Sequence, residues 1–316
     1  MDTPALTLQD VIGLERLKDC LKECLILPVK FPQLFQGSRR PHHRGIMLYG
    51  APGVGKTMLS RALAGELAGV TVLRASVYDF TSKYMVDGDR RLRELFSYAK
   101  EHAPSILIFD DIEGLFQRDS ETCRRLLTEW MVQFTGLTGL TFVLALTLSP
   151  WEIDAAIRKR FSKRIYVPMP DIAARAEMFR SFLSPPHLTA ETCPELTTED
   201  YDELAHKTHG FSAADISVVT RDTMMAPIRE LQTAKYFRKI VSEGSAGEAA
   251  GKFIPCCHDD EGAVQKNVLD LSEKEVVIRR ITKDDILQAL ESVKPSVSEE
   301  DLAKFSQFTE DFGSLP

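Results

Sequence analysis

The chain has 316 residues, 44% hydrophobic and 27% charged, with a formal net charge of −7. That is enough for one large or two modest globular domains with a real core, and the acidic balance excludes a molecule built as a whole to coat nucleic acid or anionic lipid. The first residues lack the basic, apolar, small-residue order of a secretory signal, and the longest apolar runs, around Ile106–Phe109 and Phe142–Leu148, are too short to span a bilayer.

Leu8 to Leu27 carries apolar residues at helical spacing (Val11, Leu14, Leu17, Leu21, Leu25), a pattern that Pro28 and Pro32 are expected to end. A basic polar connector, Arg39 to Arg44, leads into the apolar run Gly45-Ile46-Met47-Leu48-Tyr49, which has strand length. Next comes Gly50-Ala51-Pro52-Gly53-Val54-Gly55-Lys56-Thr57, and from Met58 to Leu67 the apolar residues again repeat at helical spacing. The octapeptide fits G-x-x-x-x-G-K-[ST], and strand, glycine loop and helix is the context that makes such a string a phosphate site. Glycines let backbone N–H groups converge on an anion, and the new helix adds its positive N-terminal end. The expected ligand is ATP, held by Gly50 to Met58, with Lys56 on the β- and γ-phosphates and Thr57 on Mg²⁺.

Val70 to Ala75 reads as a second strand, and Gly88 to about Glu101 as a helix. Ser105-Ile106-Leu107-Ile108-Phe109-Asp110-Asp111 runs four apolar residues into two carboxylates. A continuous apolar run suits a strand buried on both faces of a parallel sheet, whose ligands sit at the carboxyl ends of the strands. Asp110 is therefore expected to hold Mg²⁺ opposite Thr57. Phe142 to Leu148 and Arg164 to Val167 complete an open, five-stranded type of parallel α/β sheet. From Ile172 to Val241 the pattern is helical (Ala173–Leu183, Asp200–Thr208, Ala213–Leu231), Glu243 to Gly251 has the composition of a flexible connector, and Val264 to Ile278 leans to strand. Thr282 and Ser298 stand as caps of two last helices, through Val293 and from Glu299 to about Phe312. The expected divisions are 1–168 for the nucleotide-binding α/β part, 169–250 for a small helical part, 251–280 for a β insertion and 281–316 for the final helices. The six cysteines show no metal-ligand spacing, and Cys256-Cys257-His258 reads as an ordinary structural stretch. The expected compartment is reducing and cytoplasmic.

Taken together, Val11-Ile12-Gly13-Leu14, the glycine loop, the Asp110-Asp111 strand, Ala156 to Phe161 and Gly210-Phe211-Ser212-Ala213-Ala214-Asp215 resemble an AAA ATPase, in that family's order and over essentially the whole chain. Within it the chain looks most like the meiotic clade, which holds microtubule severers and the vacuolar-sorting ATPases that disassemble endosomal-sorting (ESCRT) filaments. The stretch Met224 to Phe237, an insertion at 253–280 and the ending Lys294 to Gly313 are similar to the vacuolar-sorting branch. The resemblance implies a P-loop NTPase fold with a helical subdomain carrying a β insertion, and assembly into a homo- or hetero-oligomeric ring of hexameric type. It further implies Lys83-Tyr84-Met85 as a pore loop that grips polypeptide tails of filament subunits. Lys159 and Arg160 take the finger positions that reach a neighbouring subunit's nucleotide, and Lys159 stands where the family has arginine, losing the bidentate fork. Cofactor proteins on the β insertion, no nucleic acid, and recruitment to endosomal or other membranes only through partners complete the expectation.

The chain departs from the family in its chemistry. The general-base glutamate is replaced by Asp111, one methylene shorter, and a shift on the order of 1 Å can cost about a hundredfold in rate. Leu148 replaces an asparagine that contacts the γ-phosphate or water, a loss of roughly 10² to 10³ where such a donor matters. The segment from Glu113 to Arg124 is shorter than usual, which trims a second pore loop, and the sequence starts almost at the motor, so either recruitment is expected to come from elsewhere or the sequence is a fragment of a longer chain with the family's adaptor domain ahead of it. Two alternatives stay open: a hydrolysis-poor, ATP-binding regulatory member of such a ring, and a katanin- or spastin-like severer, for which Arg90, Arg91, Arg124 and Arg125 give modest support.

Overall fold

Strands that are apolar at every position need cover on both faces, and the computed structural model provides it. It describes residues 6–35, 43–76, 78–81, 87–116, 121–184, 188, 192–240, 252–272 and 276–314. These fall into two compact units, Met1–Pro170 with Val297–Pro316, and Asp171–Ser296.

In the first unit, helix α1 (Glu15–Leu21) passes through a π turn (Lys22–Ile26) into α2 (Leu27–Lys30). The apolar spacing from Leu8 predicts an earlier start, but Gly13 and Leu14 both take left-handed φ (69° and 60°), which no right-handed helix can include. Pro28 does not end the helix as expected: it sits in the first turn of α2, just after the wider π turn, where its missing N–H is least felt. Strand β1 (Gly45–Tyr49), α3 (Lys56–Glu66), β2 (Thr71–Ser76), the short α4 (Tyr78–Thr81), α5 (Gly88–Glu101) and β3 (Ser105–Asp110) follow. Then come a 3₁₀ turn (Ile112–Phe116), α6 (Glu121–Thr135), β4 (Thr141–Thr147), α7 (Ala155–Arg158) and β5 (Lys163–Tyr166). The sheet runs β2-β3-β4-β1-β5, with every pair parallel.

Side-chain alternation divides each buried strand between two cores. Ile46, Leu48, Ile106, Ile108, Leu144 and Leu146 pack with Leu59 and Leu63 of α3, Leu21 of α1 and Phe305 and Phe308 near the C-terminus. Met47, Leu107, Phe109, Val143 and Ala145 meet Phe96 of α5 and Trp130 and Phe134 of α6 on the other side. The order β3-β4-β1 sets Asp110, Thr147 and Tyr49 next to one another at the carboxyl ends, where ligands of such sheets bind.

The second unit holds α8 (Ile172–Phe182), α9 (Thr198–Lys207), α10 (Ala213–Thr233) and, after a small antiparallel sheet, α11 (Lys283–Ser292). Reciprocal capping boxes at Thr197/Asp200, Ser212/Asp215 and Thr282/Asp285 start α9, α10 and α11. The sheet comprises β6 (Tyr236–Ile240), β7 (Lys252–Cys256) and β8 (Ala263–Gln265), in the order β7-β6-β8. Here the helical reading to Val241 fails. Tyr236–Ile240 pairs antiparallel with two later strands, and Phe237 is fully buried in it, so the sheet starts before the connector. Beyond β8, Val276 adds only an isolated bridge to Phe253, so most of the described residues in 264–278 are not strand. Glu243–Gly251 and Lys83-Tyr84-Met85 lie outside the described residues. The last helix, α12 (Glu299–Phe312), is capped by Ser298 and belongs to the first unit.

Candidate active site

The glycine loop leaves β1 at Tyr49 and delivers Lys56 and Thr57 as the first residues of α3. A Cβ on Gly50 would lie 2.5 Å from the Val167 carbonyl, and Gly55 has φ +97°, so both positions require glycine. Lys56 is only 8% exposed. Its Nζ donates to the Gly50 and Ala51 carbonyls at 2.8 and 2.7 Å, which holds the ammonium over the loop. Burial pulls its pKa down to about 8, opposed by the charges of Glu113, Asp110 and Asp111.

Asp110 ends β3 opposite Ser76 of β2. Its Oδ2 lies 3.4 Å from the Thr57 hydroxyl, which donates to it, and 3.6 Å from the Arg74 guanidinium. A hydroxyl and a carboxylate converging from two elements are hard oxygen donors, the set that suits Mg²⁺. Such an ion would neutralise charge on the phosphates of the substrate. Asp111 falls outside the strand with φ +52°, a strained left-handed conformation for a residue with a Cβ. Burial, then Asp110 and Glu113, raises its carboxyl above the ordinary range.

Leu148 follows β4 and is 37% exposed. Its backbone N–H donates to Glu113 Oε1 at 3.0 Å, while Glu113 Oε2 is buried with no hydrogen-bond partner among the described residues. From the sequence alone, Glu113 stands two residues beyond the expected base position and is set aside as a displaced base. The link to Leu148, 35 positions away, depends on β3 and β4 being neighbours.

Lys159 and Arg160 are exposed at the end of α7, whose N-cap Asp154 accepts from the Ala156 N–H at 2.8 Å. Arg160 borders a groove lined by Thr128, Met131, Val132, Thr135 and Gly136. The start of β1 is pressed against its backbone: a Cβ on Gly45 would lie 2.7 Å from the Arg160 carbonyl. Helix α12 supports both ends of this region, a role not visible in the sequence. The Tyr49 hydroxyl donates to Thr309 Oγ1 at 2.9 Å beside the glycine loop, and the Arg158 guanidinium stacks 3.8 Å from the Phe312 ring beside Lys159.

Comparison with known proteins adds an independent line. Residues 46–169 match the ATPase family associated with various cellular activities (AAA), 198–241 the AAA+ lid domain, and 253–313 the Vps4 C terminal oligomerisation domain. The chain is 40% identical to human Vacuolar protein sorting-associated protein 4A, over 99% of its own length and 72% of that protein's. The chain belongs to the Vps4-like AAA ATPases. As a Vps4-like AAA ATPase it is a nucleotide-binding, ATP-hydrolysing motor of the vacuolar-sorting type, and it carries an oligomerisation module. A katanin p60 ATPase-containing protein of the rat is more distant, 32% identical over 98% of this chain and 59% of that protein. The FIGL-1 AAA domain in complex with ADP is similar in structure, with a TM-score of 0.76 at 28% identity over 100% of this chain and 94% of that one. Among the described residues of this Vps4-like chain, no helix is long and apolar enough to cross a membrane.

Proposed function

We propose that this Vps4-like ATPase works as a ring that pulls polypeptide tails of ESCRT-type filament subunits through its pore, on endosomal or other membranes to which partner proteins recruit it. The observation that carries the reading is the convergence of Lys56, Thr57 and Asp110 at the carboxyl end of a parallel sheet, in a chain whose C-terminal part matches an oligomerisation domain. Gly50 to Met58 cradles the phosphates of ATP, with Lys56 as their cation and Thr57 and Asp110 as the residues that would hold Mg²⁺. Asp111 orients the attacking water. Arg160, with Lys159 beside it, completes the site of the neighbour in the ring. Lys83-Tyr84-Met85 forms the pore loop, where an aromatic can intercalate between side chains without reading their sequence. Cofactor proteins dock on the small sheet β7-β6-β8.

A second reading, an ATP-binding ring member with little turnover of its own, is favoured by the shortened, backbone-strained Asp111 and by the apolar Leu148 side chain. Steady-state ATP hydrolysis at ring-forming concentrations separates the two, with Lys56→Ala and the double variant Asp111→Glu, Leu148→Asn alongside. The motor reading expects wild type well above Lys56→Ala, and a gain of no more than about tenfold in the double variant. That is less than the 10² to 10³ each lost contact costs when nothing replaces it. Wild type equal to Lys56→Ala, with ATP bound and turnover restored in the double variant, would establish the second reading instead. A pulldown with filament-subunit tails beside cosedimentation with microtubules then identifies the polymer.

A further inference from the structure

Asp111 and Leu148 look like two losses at the hydrolytic end of the site, yet the structure places a third residue between them. Glu113 sits in the 3₁₀ turn after Asp111, a turn closed by the Gly114 N–H donating to the Asp111 carbonyl at 3.1 Å. Ile112, fully buried, pins the backbone between the two acids. One carboxylate oxygen of Glu113 is used: Oε1 accepts the Leu148 N–H at 3.0 Å. The other, Oε2, is buried and has no partner among the described residues. Buried polar atoms are almost always paired, and an unpaired charged one calls for a reason beyond packing.

The surroundings suggest that reason. Of the three carboxylates that act on the Lys56 ammonium, Glu113 acts most strongly, ahead of Asp110 and Asp111. Glu113 therefore belongs to the phosphate end of the site rather than to the outer surface. Leu148 cannot hold water with its side chain, but its backbone amide holds Glu113. A carboxylate with the full reach of glutamate is thus anchored two positions beyond the one where the family carries it.

We propose that Glu113 Oε2 accepts the proton of the attacking water, with Asp111 as a hydrogen-bond partner of the same water. The water oxygen forms the new bond to the γ-phosphorus, and the bond from that phosphorus to the bridging oxygen breaks. The electron pair leaves with ADP, and the proton taken up by Glu113 passes on to the released inorganic phosphate. The proposal rests on the ATPase reading above and names the base within it.

Glu113→Gln tests this cleanly, because the amide oxygen can still accept the Leu148 N–H while the negative charge is gone. Turnover is expected to fall about 10²-fold or more, with ATP affinity within about threefold of wild type and a melting temperature no lower. Adding Asp111→Glu to Glu113→Gln is expected to restore most of the lost rate, since it returns a long carboxylate to the neighbouring position. A purely structural role would not be rescued that way. Glu113→Gln at the wild-type rate, or a folded, ATP-binding Glu113→Gln that Asp111→Glu fails to rescue, overturns the assignment of Glu113 alone. A wild type no faster than Lys56→Ala overturns the motor reading and Glu113 with it.

Discussion

The glycine loop and the ends of β3 and β4 lie at the same end of one sheet, but they tolerate change in different ways. On the loop side every position matches the phosphate-binding pattern, and the contacts come from backbone: a glycine pressed on the Val167 carbonyl, a left-handed Gly55, and Lys56 held by two carbonyls. Such a device cannot be altered residue by residue without moving the chain. On the β3 and β4 side the chemistry sits at side-chain tips, and there the chain departs twice, at Asp111 and Leu148. A role carried by the tip of a side chain can pass to a neighbour whose tip reaches the same place, and Glu113 is so placed. Binding is held by the fold, and hydrolysis by local reach.

Substitutions that affect one side and not the other sharpen this contrast. The largest expected effect is on turnover alone. Arg160→Ala should lower ring-dependent hydrolysis by about 10³-fold, as loss of a charge-stabilising arginine does in phosphoryl transfer. ATP affinity of the isolated chain should hold, because Arg160 is exposed and, in the proposed ring, serves a neighbour. Single-turnover hydrolysis beside equilibrium binding of a fluorescent ATP analogue reads both, and a matching drop in affinity would place Arg160 in its own nucleotide site. Next in size is binding itself. Lys56→Ala removes charge-assisted hydrogen bonds to phosphate, worth roughly 1.5 to 3 kcal/mol, so affinity should fall about 10- to 100-fold. Wild-type affinity in that variant would break the distinction between the two sides.

How much of this could be read from the sequence follows the same division. Gly50 to Thr57, Asp110 and the five strands were legible because each is a local signal: a motif, or an apolar run of strand length ending in a carboxylate. Glu113 was undervalued because its meaning is a contact to Leu148 across two strands, which no local pattern announces. The helical reading to Val241 missed β6 because Tyr236-Phe237-Arg238-Lys239-Ile240 is short and its partners, β7 and β8, follow later in the chain. Pro28 misled because proline's cost depends on the turn around it, and a π turn precedes it. The packing of α12 on Tyr49 and Arg158 joins residues whose positions differ by well over a hundred, beyond the reach of periodicity.

The smallest expected effect lies at the one loosely specified position of the finger pair. Lys159 is exposed at the end of α7, and its neighbour Arg158 is already committed to the Phe312 ring at 3.8 Å. Lysine offers a point charge where a guanidinium would offer two parallel hydrogen bonds, so Lys159→Arg should raise hydrolysis a few-fold, roughly the worth of one further hydrogen bond. The gain should depend on protein concentration, appearing only where neighbouring copies assemble, and ATP affinity of the isolated chain should not move. Phe312→Ala supplies the counter-test. Freed from its ring, Arg158 competes with position 159 for the same anionic target, and the gain from Lys159→Arg should shrink. An increase in rate that is independent of concentration would mean that Lys159 acts on its own chain's nucleotide, and the division between a cis binding side and a trans-completed hydrolytic side would have to be redrawn.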